Sequence, residues 1–389
     1  MRAYKELVRD TAAQADWLLL GLCAAASLYG IVLIVSATRY DAVLSLYPWK
    51  QGAAMAAGMV LFLVLSQLDG EALSSHWMLL LVFALAFLSL PAIPGLGHSV
   101  GGNRSWISFR GFSLQPAEPV KLVFVLLLAR QIVTLDRGRG IDHPLSMAAI
   151  TGNLALFTGV IFLVSRDAGT ALVYAAVFAG MLWSAGLHRA WFALGTVVLL
   201  LSGSALWLHL SEDNYWKMRI LVCFDHNLDP TYRGFQQTRS LLAIRSGGGW
   251  GRGFLHGALT QSVNPSALPA RHTDFIFSVC CEEFGMVGGM LLLFLLTAIV
   301  LRCLAAARRA ENTFSGLVAA GVGTMLLVQV VLNVGMCLFV LPVIGLTLPF
   351  VSYGGSSLVT AYAAMGLVSG VGRRGKNAGW ARGNRETGI

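Results

Sequence analysis

Apolar runs of about 17 residues or more recur from one end of this chain to the other, and nothing else in the sequence limits its fold as strongly. Hydrocarbon offers no water to backbone N–H and C=O groups, so such runs must become helices that satisfy themselves and pack side by side. Ten can be placed, near residues 17–36, 50–67, 77–95, 117–134, 146–164, 168–185, 188–209, 274–304, 313–340 and 353–372. The residue balance agrees, with 56% hydrophobic and 12% charged residues against about 25% charged in soluble domains. The chain reads as an all-α polytopic membrane protein with about ten transmembrane helices. It is taken as a single membrane domain over 1–389, with one long extracytoplasmic loop over about 210–273 and a basic cytoplasmic tail over about 373–389.

Charge gives the expected orientation. The first run starts near Trp17, behind Arg2, Lys5 and Arg9, and reads as a retained signal anchor: no small-residue cleavage site is evident and further runs follow. An even number of spans after a basic start places both termini in the cytoplasm. The cytoplasmic connections then hold Arg130, Arg137, Arg139, Arg189, Arg302, Arg308, Arg309 and the tail from Arg373 to Arg385. The short outer loops hold only Arg39, Lys50, Arg104, Arg110 and Arg166, a bias of roughly threefold. The net charge of +9 is therefore a record of topology and contact with anionic headgroups, not a sign of nucleic-acid binding. Five of the six cysteines (Cys23, Cys280, Cys281, Cys303 and Cys337) fall in apolar runs, and Cys223 has no loop partner, so neither a disulfide framework nor a zinc site is expected.

Function belongs on the outer face, where polar chemistry is concentrated. Between the third and fourth spans, GLGHSVGGNRSWISFRGFSLQPAEPVKL (95–122) supplies turn residues and an interfacial Trp106. Glu118 and Lys121 follow at i and i+3, either as a helix-surface pair or as part of a site for an anionic amphiphile. The hairpin Ser165 to Thr170 carries Arg166 and Asp167, the latter also placed to cap the next helix. The long loop holds DPTYRGFQQTRSLLAIRSGGGWGRGF (229–254). Phe235, Leu241, Leu242 and Ile244 form one side of a short basic helix suited to the membrane surface, with Arg233, Arg239 and Arg245 on the rest. The glycines from 247 to 253 either form a flexible turn or let backbone amides approach a phosphate. Last comes LPVIGLTLPFVSYGGSS (341–357), whose prolines and glycines break an apolar run; it is expected to re-enter the bundle and shape the floor of an outer site.

These segments converge on Leu268 to Gly285, LPARHTDFIFSVCCEEFG. A polar lead-in puts Asp274 at the lip of a membrane helix. Glu282 and Glu283 follow roughly 12–14 Å further along the axis, turned by about 80° and 180° from it, so the two cannot both share its face. Acids at that depth need partners or a cavity.

Five of these stretches together resemble the SEDS family (shape, elongation, division and sporulation): GGNRSWISFRGFSLQPAEPVKL, RDAGTALV, DPTYRGFQQTRSLLAIRSGGGWGRGF, LPARHTDFIFSVCCEEFG and LPVIGLTLPFVSYGGSS. They occur in the family order and cover roughly residues 95 to 372. The resemblance implies a peptidoglycan glycosyltransferase that polymerises lipid II at the outer face of the bacterial cytoplasmic membrane. It also implies a class B penicillin-binding transpeptidase as partner. The family's catalytic aspartate falls on Asp274, its tryptophan on Trp106, its acid and lysine after the QP motif on Glu118 and Lys121, and its hairpin aspartate on Asp167. The chain departs from the family at Ala117 (commonly Ser), Ala270 (commonly Glu) and Arg245 (commonly Gly).

Glycan extension needs a base to deprotonate the acceptor 4-hydroxyl, and a cationic setting for the departing undecaprenyl diphosphate. Asp274 is assigned as that base, kept ionised by nearby Arg271. Candidate substrate contacts are Trp106, Arg104, Glu118, Lys121, Asp167, Arg233, Gln236, Arg239 and Ser352. A divalent cation such as Mg2+ would assist, but no ligand cluster for one is readable. Two other readings stand beside the enzyme: a lipid II flippase using Glu282 and Glu283 in a polar path, and a scaffold that only recruits partners. Elongation, division and sporulation roles are not separated by these motifs.

Overall fold

The computed structural model describes residues 15–41, 44–100, 103–109, 112–211, 214–226, 228–229 and 231–387. Arg2, Lys5, Arg9 and Arg110, which entered the charge argument, lie outside the described residues. Thirteen α-helices and three strands are present among those described. The helices are α1 (Trp17–Thr38), α2 (Tyr47–Gln67), α3 (Gly70–Ser75), α4 (Trp77–Ser89), α5 (Ala117–Gly138), α6 (Pro144–Ser165), α7 (Ala168–Ser184), α8 (Arg189–His209), α9 (Tyr215–Phe224), α10 (Phe235–Gly247), α11 (Ile276–Arg308), α12 (Thr313–Cys337) and α13 (Gly355–Thr387). A helix stands at each of the ten expected places, though not all are long enough to span. Six are long and apolar enough to cross a membrane, from Trp17, Leu44, Pro144, Arg189, Ile276 and Thr313 onward, and the helices from Trp77 and Ala168 are shorter and apolar.

The helix ends follow from local chemistry. Asp16 accepts from the Leu19 N–H at 3.2 Å, Asp167 from Thr170 N–H at 2.9 Å and Asn312 from Ser315 N–H at 2.8 Å, each replacing a bond the first turn lacks. The core sits around α12, which packs against α5, α7, α11 and α13 and is buried over most of its length. α2 lies closely along α13, and α1 along α11. At one end Arg302 of α11 grips Asp16 through Nε at 2.9 Å and Nη2 at 3.1 Å, tying the start of α1 to the far part of α11. α8 differs from all of these: none of its residues is buried, and beyond Trp191 and Phe192, which pack on the core, its apolar surface is largely exposed.

Four features differ from the sequence reading. First, the chain expected to be all-α carries strands among the described residues of 97–114. They form an antiparallel sheet in the order β1 (Gly97–Val100), β2 (Asn103–Phe109) and β3 (Phe112–Leu114), with Ile107 opposite Gly97 and Leu114. Second, α11 is not one unbroken helix. Gly285 takes φ 67° and ψ −166°, and the glycine run of the long loop fills the break. Arg252 and Gly253 donate N–H to the carbonyls of Glu282 (3.0 Å) and Glu283 (2.9 Å), while Gly248 and Gly249 carbonyls accept from Met286 (2.9 Å) and Val287 (3.2 Å). Of the two readings left open for this run, the Arg252 and Gly253 amides follow neither and are spent on the helix break.

Third, α10 packs into the molecule by its small and polar side. Its inward face is Gln237, Ser240, Ala243 and Gly247, packed on α11 and α12, while Leu242 is exposed. Ser240 Oγ lies 2.6 Å from Ser278 Oγ and donates to Cys337 C=O at 2.7 Å. Small and polar residues allow the close approach that the larger ones would block. Fourth, Glu282 and Glu283 are buried and hold the long loop. Glu282 accepts from the N–H groups of Leu259 and Thr260, both at 2.8 Å, and from Thr260 Oγ1 at 2.6 Å. Glu283 accepts from Ser36 Oγ and from Gln261 Nε2 at 3.0 Å. Both acids anchor the returning loop to α11 and α1.

Candidate active site

The segment between α12 and α13, residues 338–354, has no regular structure, yet Val343, Leu346, Leu348, Phe350 and Val351 are buried. Buried backbone of this kind must find hydrogen bonds from side chains. Gln237 Nε2 donates to Leu341 C=O (2.7 Å), Arg219 Nη1 to Val343 C=O (2.7 Å), and Asn333 Nδ2 to Leu346 C=O (2.7 Å). Gln51 Nε2 donates to Ser352 C=O (3.0 Å) and its Oε1 accepts from Gly354 N–H (3.2 Å). The expected re-entrant floor is present, held by carboxamides from α2, α10 and α12.

Asp274 stands on this floor. Ala270 adopts a left-handed conformation (φ 48°), and its carbonyl accepts from Thr273 N–H (3.1 Å) and Phe275 N–H (3.2 Å), closing the turn that ends just before α11. The residue that departs from the family pattern is therefore the pivot of the turn. Three bonds fix the backbone here. Ser352 Oγ donates to Thr273 C=O at 2.7 Å, Tyr353 N–H to His272 C=O at 2.9 Å, and Asn333 Nδ2 to Asp274 C=O at 2.9 Å. Ser352 Oγ also accepts from Leu348 N–H at 2.8 Å, so its hydroxyl serves as a brace for the turn, not as an open substrate contact.

The Asp274 carboxylate is treated differently from its backbone. It is half-buried and makes no hydrogen bond or ion pair with any described residue. Burial alone pushes its carboxyl up to about 6. This corrects the expectation that Arg271 keeps it ionised: the Arg271 Nη1 turns away and donates to the carbonyls of Thr260 (2.6 Å) and Ser262 (2.9 Å). The carboxylate faces Gly345 (φ 67°), where an added Cβ would lie 3.9 Å from Oδ2.

From Gly345 the site extends toward α7 and α5. The neighbouring Ile344 carbonyl comes within 2.6 Å of where a Cβ would stand on Gly169, so only glycine lets the Asp167 hairpin approach. Asp167 caps α7, and its Oδ2 accepts from Thr170 Oγ1 (2.8 Å) and Gln115 Nε2 (3.1 Å). Gln115 leads into α5, where Lys121 Nζ meets Glu118 Oε1 at 2.7 Å with both side chains buried. Asp274, Ser352 and Asp167 thus meet the floor, and Gln115 ties Asp167 to the start of the helix that carries Glu118 and Lys121.

The other candidates stand further out. Arg104 and Trp106 lie on β2, which packs against α6, and β3 of the same sheet leads into Gln115. Arg239 Nε is held by Ala267 C=O at 2.7 Å, and an Arg233 guanidinium nitrogen lies 3.5 Å from Asn214 C=O. Gln236 is half-buried, and its neighbour Gln237, not singled out from the sequence, is the inward one. Sequence reasoning also passed over Gln51, Asn333 and Arg219. A signal existed for the first two: carboxamides within membrane helices seldom face lipid. Among the described residues no group of three or more His, Cys, Asp and Glu is placed to hold a metal ion.

The family model for cell cycle proteins of the FtsW, RodA and SpoVE type matches residues 16–377. This chain belongs to that family. Peptidoglycan glycosyltransferase MrdB of Escherichia coli (strain K12) is 33% identical over 346 residues, covering 88% of this chain and 89% of its own length. The probable peptidoglycan glycosyltransferase FtsW of Bacillus subtilis (strain 168) is 32% identical over 355 residues, covering 88% and 85%. Among solved structures, a chain from a peptidoglycan synthase complex that coordinates polymerization and crosslinking aligns with a TM-score of 0.79 at 32% identity, over 93% of this chain and 98% of that one. The rod shape determining protein RodA of Thermus thermophilus aligns with a TM-score of 0.66 at 29% identity, over 92% and 97%. Relatives named MrdB and FtsW match this chain about equally, at 33% and 32% identity.

Proposed function

We propose that this chain is a peptidoglycan glycosyltransferase that polymerises lipid II, with Asp274 as the general base. One observation carries the assignment: a carboxylate without partners, on a backbone held by three hydrogen bonds, at the edge of a membrane helix. A base needs a pKa near the working pH and a free lone pair, and burial supplies the first while the absence of partners supplies the second. Asp274 would take the proton of the acceptor 4-hydroxyl as that oxygen attacks the anomeric carbon of the lipid-linked glycan. The C1–O bond to the diphosphate then breaks and undecaprenyl diphosphate leaves. Lys121 and Arg104, with Arg233 and Arg239 further along the loop, are the cations for that leaving group. Glu118 and Asp167 position the lysine and the hairpin, and Trp106 offers a flat apolar wall.

In this reading the site end faces outward, both termini are cytoplasmic and ten helices cross the bacterial inner membrane. A class B penicillin-binding transpeptidase crosslinks the product. The charge bias supports the orientation. The test is polymerisation of purified lipid II by the detergent-solubilised chain, alone and with a class B transpeptidase. Glycan polymer is expected. No polymer under either condition, together with lipid II movement across vesicles, would replace the enzyme with the flippase.

Asn333→Leu probes the floor. The substitution keeps the volume but leaves the Leu346 carbonyl without its side-chain donor and the Asp274 carbonyl with only the Cys337 thiol at 3.5 Å. Each unsatisfied group costs roughly 1–3 kcal/mol, so a lower Tm is expected together with at least a tenfold loss of polymerisation rate in protein that remains folded. Thermal unfolding and initial rates read both; an unchanged rate would mean that the Asp274 backbone needs no such anchor.

A further inference from the structure

Away from Asp274, α4, α5 and α6 part to leave a groove of about 450 Å³. Its flanks are apolar, formed by Leu81, Leu127 and Leu156, and its polar part is gathered around Arg130. Gln131 Nε2 donates to Ala149 C=O at 2.9 Å and Asn153 Nδ2 donates to Gln131 Oε1 at 2.8 Å, so the two carboxamides form a fixed bridge between α5 and α6. Arg130 is half-buried and makes no hydrogen bond or ion pair with any described residue. Gly152 keeps the groove open: a Cβ there would meet nothing within 4 Å.

Depth and surroundings identify the occupant. Arg130 lies thirteen residues into α5, roughly 20 Å from its Asp274 end, which is past the middle of a hydrocarbon core about 30 Å thick and on the side of the opposite leaflet. Trp77 stands at the rim, at the level such rings favour. The outer surfaces beside the groove are apolar and exposed, including Leu79, Val82 and Phe83 of α4 and Leu163 of α6. An arginine that merely snorkels needs no concave surface and no fixed polar bridge beside it. This one has both.

We propose that the groove binds one anionic glycerophospholipid from that leaflet. The phosphodiester pairs with the Arg130 guanidinium, whose planar fork fits phosphate oxygens. A hydroxylated headgroup meets the carboxamides of Gln131 and Asn153, and one acyl chain lies along Leu81, Leu127 and Leu156. A choline headgroup has no donor for the carboxamide oxygens and brings a cation toward Arg130, so it fits poorly. This site is separate from the polymerisation reading and does not depend on it.

Native mass spectrometry of the full chain in mild detergent tests the assignment, with dioleoyl-phosphatidylglycerol and dioleoyl-phosphatidylcholine as probes. One phosphatidylglycerol per chain should be retained by the wild type in preference to phosphatidylcholine. Retention should fall at least tenfold in R130Q and in G152L. The leucine would fill the groove, and replacing a glycine inside a helix favours folding. Equal retention of the two lipids by the wild type would overturn the proposal. So would unchanged phosphatidylglycerol retention in either variant, and loss in R130Q alone would place the lipid outside the groove.

Discussion

Asp274→Asn should reduce lipid II polymerisation by roughly 10²–10⁴-fold, the range a lost general base produces. The amide keeps the shape of the side chain and cannot accept the proton. Because the carboxyl sits at about 6, the wild-type rate should rise with pH through about 6 and then level off as the base becomes fully ionised. The same shift makes a stability statement. The folded-state value lies above the ordinary 3.8, so the folded protein binds this proton more tightly than the unfolded chain does. That contribution is fully present below the unfolded value and is lost as pH rises through the folded one. Above about pH 6 the ionised carboxylate therefore costs on the order of 2–3 kcal/mol relative to its protonated form. Asparagine removes this cost, so the variant should melt higher than wild type at pH 7.5 and lose that advantage below about pH 4. Initial rates against pH and thermal unfolding of both proteins measure this directly. A variant that polymerises normally would dismiss Asp274 as the base. One that is inactive but also less stable would make the carboxylate a structural group.

The parts of this site differ in how far the sequence announces them. Helices follow from uninterrupted apolar runs, and the lip position of Asp274 follows from where polarity ends, because both depend on neighbours in sequence. The re-entrant floor was legible for the same reason, since Pro342, Pro349 and three glycines interrupt an apolar run. What holds the floor was not, because Gln51 and Gln237 reach it across the fold, 301 and 104 residues from their partners, and no local pattern records so distant a partner. The glycine run left two readings open for a related reason. Backbone amides exposed by glycines suit a phosphate, but here another backbone, broken at Gly285, reaches them first. Arg271 shows the same limit: three residues from Asp274 in sequence, it spends its charge on two loop carbonyls.

Lys121→Met carries the second large expected effect. Lys121 and Glu118 keep side-chain exposures of only 4% and 8% at a separation of 2.7 Å. Removing the lysine leaves a buried carboxylate without its counter-charge, which destabilises by roughly 3–5 kcal/mol. A fall of several degrees in Tm, or loss of folded protein in detergent, is expected. Adding Glu118→Gln should restore most of that stability, because replacing both members of a buried ion pair is often close to neutral. The restored double variant then separates two roles that the geometry superimposes. If the pair only fastens α5, the double variant polymerises lipid II near the wild-type rate. If Lys121 leaves Glu118 to meet the diphosphate as it departs, the double variant folds but loses turnover, with kcat falling more than KM rises, because the charge on the leaving group is greatest in the transition state. A single variant as stable as wild type would show that the pair is hydrated in the working protein and would remove the premise of both outcomes. The second pattern is the one expected here: α5 begins beside Asp167 at the edge of the floor, and a desolvated lysine there meets a diphosphate at less cost than a hydrated one would.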